Sequence, residues 1–320
     1  VISPVEVKQI ASEHKFNTAN IEKVLRLVDL LREIYAHPYL KSRFVLKGGT
    51  AINVFVFDIP RLSVDIDLNY IGSPEKDVML NERSVIREHL QRIHKLQRYE
   101  FDFTENYGSD RFELWYQNIN GNRDRIKLEI NYLLRVPLLK PVVSRKRKLF
   151  KSIPLPKVTL LAPEELFASK IIALFARHAA RDLYDVYHLS TEQNSKLNKS
   201  LLKLCAIFYG VINREDFRKM STAIIDRVTP MDIKRTLYPL LQRELQFNLA
   251  KSQQRVKRFL NPLFRLTKKE KQFIDSFFEG KYEPELIFNS KSFSKNIVKH
   301  PMIEWKLSHI TQHLRQGSEN

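Results

Sequence analysis

KGGTAINVFVFDIPRLSVDIDLNY (residues 47–70) ends on an alternating run in which Val64, Ile66 and Leu68 are apolar and Asp65, Asp67 and Asn69 are polar. Alternation of period two marks a half-buried β-strand. Residues two apart on a strand point the same way, so the Asp65 and Asp67 carboxylates leave one face about 7 Å apart along the chain. Like charges at that spacing repel, and the repulsion is offset by a divalent cation, by an Arg or Lys, or by water. A solvated polar face is the plain reading of such a strand. Aspartate is nevertheless depleted in strands, and a pair on one face asks for a reason.

The residues upstream supply one. RFVLKGG reads as a short strand, and Gly48-Gly49 permits a tight strand-to-helix turn in which backbone N–H groups can approach a phosphate. Thr50 then sits at the N-terminus of a helix, TAINVFVF, where an anion is favoured. Asp58-Ile59-Pro60 turns the chain back into the aspartate strand. This order places a phosphate cradle beside a site for a hard divalent ion, Mg²⁺ or Mn²⁺, which takes one or two carboxylates plus substrate phosphates. A nucleoside triphosphate fits that description. Arg61 and Ser63 precede the aspartates, where they can orient a phosphate or a carboxylate. Glu129, in KLEINY, lies opposite the apolar alternation of its own strand; it is either a third metal-site carboxylate or an ordinary surface residue.

Outward from this stretch, NTANIEKVLRLVDLLREIYAHPYL (residues 17–40) has helical spacing, with Asn17 or Thr18 available as N-cap. SPEKDVMLNERSVIREHLQRIHKLQ is a second amphipathic helix. RYEFDFTENY and RFELWYQN alternate as paired strands around a turn at Gly108-Ser109-Asp110, and DRIKLEINYLLR alternates again. From LAPEELF onward the pattern is helical almost to the end. The expected fold class is α+β: a mixed-sheet domain with flanking helices over residues 1–195, then an α-helical bundle over 196–320, divided at the polar stretch STEQNSKLNKS.

The chain has 320 residues, room for two domains, with 54 Lys and Arg against 36 Asp and Glu, a net charge of +18. Such an excess suits a partner carrying phosphates. A single Cys205 excludes a disulfide framework and points to the cytoplasm, and no apolar run is long enough to span a bilayer.

Residues 47–70 together with ASKIIALFARHAARDLYDVYHL (residues 168–189) resemble the AbiEii/AbiGii-type toxins of bacterial toxin–antitoxin and phage-defence systems, members of the DNA polymerase β-like nucleotidyltransferase superfamily. The resemblance covers roughly residues 40–190. It implies that Gly48, Gly49 and Thr50 hold phosphate, that Asp65 and Asp67 hold metal, that Lys170 contacts the nucleotide, and that an acid within RDLYD acts with them. Glu129 transfers less securely. The implied activity is Mg²⁺-dependent transfer of NMP from an NTP to an acceptor hydroxyl with release of pyrophosphate. The implied acceptor is RNA, a tRNA 3′ end before a protein hydroxyl, and the implied partner is a cognate antitoxin, a DNA-binding regulator.

One straight helix would put Lys170 and Asp185 about 22 Å apart along its axis, so the chain is expected to break near His178 to Arg181. Asp185 is favoured as the inward acid and Asp182 as a cap or arginine partner. Two other readings compete. A glycosyltransferase also uses Asp-X-Asp, though not after a GGT strand-to-helix turn, and labelled nucleotide sugars would reveal it. A non-catalytic RNA- or protein-binding module with a degenerate site would be indifferent to loss of Asp65.

Overall fold

The computed structural model of the protein describes residues 3–150, 152–193, 195–213, 216–289 and 291–317, without the side chains of 193 and 311–317. The chain divides into two compact units, the first Val1–Arg135, Pro141–Leu161 and Arg235–Gln246, the second Val136–Lys140, Ala162–Lys234 and Phe247–Asn320. The polar stretch at 190–200, where the composition suggests a division, lies inside the second unit, and residue 194 within it is outside the described residues.

The first unit opens with α1 (Pro4–Glu13) and α2 (Thr18–Ala36). Asn17 caps α2 by accepting the Asn20 N–H at 3.2 Å. Then follow β1 (Phe44–Lys47), α3 (Gly48–Thr50) running on into a π-helix (Ala51–Val56), β2 (Asp65–Tyr70) and α4 (Lys76–Leu96). The remaining strands are β3 (Glu100–Asn106), β4 (Ser109–Gln117), β5 (Arg123–Asn131), β6 (Val142–Val143), β7 (Lys148–Leu149), β8 (Ile153–Pro154) and β9 (Thr159–Leu160). The main sheet has the order β3-β4-β5-β2-β1-β9-β6. It is mixed: β2 runs parallel to β5 but antiparallel to β1, and β1 runs parallel to β9.

One face of this sheet is apolar, with Ile66, Leu68, Phe112, Leu114, Ile126, Leu128 and Ile130 fully buried. α2 packs on β5 and α4 on β3, which satisfies the hydrophobic stripe of each helix. The opposite face carries Lys47, Asp65, Asp67, Arg111, Lys127 and Glu129. Two expectations shift in detail. β2 begins at Asp65 rather than at Val64, and upstream of it the Leu62 N–H is spent on the Leu240 carbonyl at 2.8 Å instead of a neighbouring strand. The β3–β4 turn is Tyr107-Gly108, since Asn106 pairs directly with Ser109. Asp110 is therefore a strand residue, fully buried, and its carboxylate holds Arg83 at 2.7 Å and Arg87 at 2.8 Å from α4.

The second unit is helical, as expected: α5 (Pro163–Arg177), α6 (Ala180–His188), α7 (Lys199–Ile212), the short α8 (Pro230–Asp232), α9 (Leu249–Leu260), α10 (Lys268–Phe278) and α11 (Pro301–Gly317). The predicted break is present. His178 adopts φ 51°, a left-handed conformation that ends α5, and α6 starts at Ala180.

Both units bury ionisable groups at a cost, and for His94 and Glu165 that cost depends on pH in opposite directions. In the first unit His94 is fully buried, neither ring nitrogen has a hydrogen-bond partner among the described residues, and burial pushes its pKa down to about 3. In the second, Glu165 is pushed up to about 7 by burial, against the pull of the Leu139 and Leu138 N–H groups and the Tyr209 hydroxyl. A base depressed on folding binds more protons when unfolded, so the His94 contribution is full above its ordinary 6.5 and is lost as pH falls towards 3. An acid raised on folding behaves inversely. The Glu165 contribution is full below its ordinary 4.5 and is lost as pH rises towards 7. Each limb spans on the order of 3 kcal/mol. Urea titrations from pH 4 to 8 should show opposite pH slopes in the two units, and His94→Leu should remove the acid limb of the first; identical slopes in wild type and variant would refute this.

Candidate active site

The charged face of the main sheet places the predicted residues in one row. Lys47 of β1 is the cross-strand partner of Asp67, Asp67 is the partner of Glu129 on β5, and Glu129 is the partner of Arg111 on β4. Asp65 lies one step along β2, opposite Lys127. Parallel and antiparallel neighbours in register point to the same side, so lysine, aspartate, glutamate and arginine stand side by side.

This row accounts for the tolerance of two aspartates on one strand. Burial pulls the Lys47 ammonium below the ordinary lysine value, while the charges of Asp67 and Glu129 act in the opposite direction. Lys47 is thus held where its positive charge meets both carboxylates. The sequence offers only its place directly before Gly48-Gly49 and gives it no role, because the register that sets it beside Asp67 joins strands that local spacing does not pair. Arg111 was missed for the same reason. Its guanidinium lies 3.3 Å from Glu129, which belongs to a surface ion pair as much as to the aspartate site. Among the described residues no group of three or more His, Cys, Asp or Glu side chains is gathered to hold a metal ion, so the structure does not assemble Asp65, Asp67 and Glu129 into one cluster.

The glycine turn is built around Asp67. Gly48 has φ +71°, and a Cβ added there would fall against the Asp67 carboxylate, 3.1 Å from its Cγ. A Cβ at Gly49 would meet Ser63 Oγ at 2.8 Å and Arg61 Nη2 at 3.0 Å. Both positions therefore require glycine, the first for conformation and space and the second for space. Thr50 is fully buried, and its hydroxyl donates to the Asp65 carbonyl at 2.5 Å and lies 3.0 Å from Ser63 Oγ. It tethers the start of the helix to the start of the aspartate strand. Arg61, also buried, donates to the Leu62 carbonyl at 2.9 Å. Gly48→Ala should lower any activity that depends on Asp67 by about tenfold or more while costing about 1–2 kcal/mol of stability; a variant as active as wild type would show that the turn does not position the carboxylate.

Lys170, Asp182 and Asp185 belong to the second unit, and there the bend at His178 brings them together. Lys170 Nζ lies 2.8 Å from Asp182 and 3.1 Å from Asp185, with all three side chains buried. Arg177 adds two bonds to Asp182, at 2.5 and 2.9 Å. Burial opposes the Asp182 charge, but Lys170 and Arg177 outweigh it and hold the carboxyl well below the usual range. Asp182 is thus an arginine partner, as the sequence suggests, and is no less buried than Asp185.

The family model described as nucleotidyl transferase AbiEii toxin, type IV TA system, matches residues 29–280, most of the chain. The protein belongs to the AbiEii nucleotidyltransferase toxin family. As a family member it is a nucleotidyltransferase, and its membership implies an NTP substrate and an antitoxin partner. Among solved structures, the nucleotidyltransferase toxin MenT4 from Mycobacterium tuberculosis H37Rv is similar with a TM-score of 0.56 at 15% identity, over 94% of this chain and 98% of that one. At that identity the likeness is one of fold, an α/β arrangement with a mixed sheet. A comparison with curated protein sequences gives no match. Among the described residues of this AbiEii-family chain, no helix is long and apolar enough to cross a membrane.

Proposed function

We propose that this AbiEii-family toxin transfers NMP from an NTP to an acceptor hydroxyl in a Mg²⁺- or Mn²⁺-dependent reaction, with an RNA 3′ end, that of tRNA first, as acceptor and a protein hydroxyl as the next candidate. The observation that carries the proposal is the pair Asp65 and Asp67 on one strand face, with Gly48 leaving open the volume beside the Asp67 carboxylate.

The donor set fits a hard divalent ion, which prefers carboxylate oxygens and completes its shell with water and substrate phosphates. Asp65 and Asp67 are the residues that would hold it; when bound, it supplies charge neutralisation for the triphosphate and a lowered pKa for the attacking hydroxyl. The rest is the work of the chain. The Gly48-Gly49 turn presents backbone N–H groups to the triphosphate, and Thr50 fixes that turn to the Asp65 carbonyl. Lys47 and Arg111 hold Asp67 and Glu129 as charged, oriented acceptors. The hydroxyl oxygen bonds to the α-phosphorus as the bond to the pyrophosphate oxygen breaks, and the hydroxyl proton passes to an aspartate oxygen. Lys170, as the nucleotide contact, and Asp185, as the further acid, enter on the family resemblance. The cognate antitoxin is proposed to be a DNA-binding regulator, and the biological setting to be toxin–antitoxin control or phage defence.

The test is to incubate the protein with Mg²⁺, each labelled NTP in turn, and either total RNA or cell protein. Label in the RNA fraction, lost in Asp67→Asn and on chelation, is the expected result. Label confined to protein would replace the acceptor, and no label with any NTP would favour a non-catalytic binding module.

A further inference from the structure

The segment from β6 to β9 is a β-ribbon with a concentrated charge. Val142 and Val143 pair with Leu160 and Thr159. The Ser144 N–H donates to the Val158 carbonyl at 2.8 Å, and the Leu155 N–H donates to the Arg147 carbonyl at 2.8 Å. Beyond these bonds β7 and β8 form a separate two-stranded antiparallel pair, Lys148 opposite Pro154 and Leu149 opposite Ile153. The strand leaving the sheet carries consecutive basic residues, Arg145, Lys146, Arg147 and Lys148, and the returning strand carries Lys157.

These charges are presented outward on an anchored element. Ser144, Leu149, Leu155 and Val158 are buried, and the Phe150 ring packs 4.5 Å from that of His14. Lys146 is tied back, at 2.9 Å from the Phe57 carbonyl and 3.1 Å from Asp58. Arg145, Arg147, Lys148 and Lys157 are exposed, and among the described residues no acidic side chain pairs with them. Blunting of a sheet edge needs only a charge or two. Four exposed, uncompensated cations on a two-stranded ribbon instead match a polyanion. The exposed valines at the base of the ribbon offer too little apolar area for a lipid anchor.

The register gives the ribbon a direction. Leu160 pairs with both Leu46 and Val142, so β6 lies two strands from β1, about 10 Å across the sheet. β6 is antiparallel to β9, which is parallel to β1, so the ribbon runs away from the row of Lys47 and Asp67. Its cations lie about 20 Å from the carboxylates, the length of roughly six stacked nucleotides.

We propose that the basic ribbon docks the phosphate backbone of an RNA acceptor whose 3′ end reaches the Asp65/Asp67 face, an inference that rests on the acceptor reading given above. The test begins with binding, independent of turnover. In an Asp67→Asn background, fluorescence anisotropy measures Kd for a labelled RNA of tRNA length across a salt series. Reversing Arg145, Arg147 and Lys148 to Glu is expected to raise Kd at least tenfold and to reduce the slope of log K against log salt by about 2. Substitution to Gln should give an intermediate loss, and unchanged melting temperatures establish that the variants fold. With Asp67 restored, the reversal should raise KM for long RNA acceptors while leaving kcat, KM for NTP, and KM for tri- or tetranucleotide acceptors unchanged. Equal Kd and slope in wild type and variant would overturn the ribbon proposal, as would loss of binding to phosphatidylserine vesicles alone. Failure of the acceptor reading would show separately, as RNA binding through the ribbon without RNA labelling by the active enzyme.

Discussion

Asp67→Asn is expected to cut nucleotidyl transfer by about a thousandfold or more with no comparable loss of stability. Asparagine preserves the shape of the side chain but removes a charge from the pair that would hold the divalent ion. Stability should change by less than about 1 kcal/mol, since relief of repulsion with Asp65 opposes the loss of attraction to Lys47. Asp65→Asn should behave alike. The measurement is transfer of labelled NMP under saturating NTP, beside a thermal melt. Full transfer activity in Asp67→Asn would refute the assignment of Asp67 to the pair that holds the divalent ion.

The second large effect is on stability. Lys170→Met should destabilise the helical unit by about 3–5 kcal/mol, because it removes the ammonium that the buried carboxylates of Asp182 and Asp185 share. Loss of helical circular dichroism in urea reads this out. Asp185→Asn keeps both cation contacts to Asp182 and should cost about 1–2 kcal/mol. The Asp182 carboxyl is depressed on folding, so its contribution is present above the ordinary carboxylate range and is lost as pH falls below it. The two acids then separate by readout: Asp182→Ala chiefly in stability, Asp185→Ala in transfer. Retention of full transfer by Asp185→Ala would refute its assignment as the functional acid, and an unaltered melt in Lys170→Met would refute the ion cluster as a structural element.

Much of this molecule follows from local sequence. The two-residue alternation around Asp65 and Asp67, the glycines before the first helix and the Pro163 start of α5 each specify backbone conformation through neighbours in the chain. The break between Lys170 and Asp185 was legible once the family resemblance put both at one nucleotide, since a straight helix could not have brought them together. Even the mixed sheet followed from counting alternating runs and the connections between them.

What local sequence left open was partnership. Lys47 and Arg111 acquired roles only when strands distant in sequence came into register, because cross-strand contact depends on pairing order rather than spacing. Glu129 gained a cationic neighbour, Arg111, that no spacing along the sequence pairs with it. Asp110 reads as a turn residue until the two-residue hairpin makes it a buried anchor for α4. Sequence by itself determined which backbone each segment adopts and that two like charges share a strand face. Only the tertiary structure decided which cations meet those charges, because a charge is stabilised by what lies within a few ångströms of it, whatever its distance along the chain.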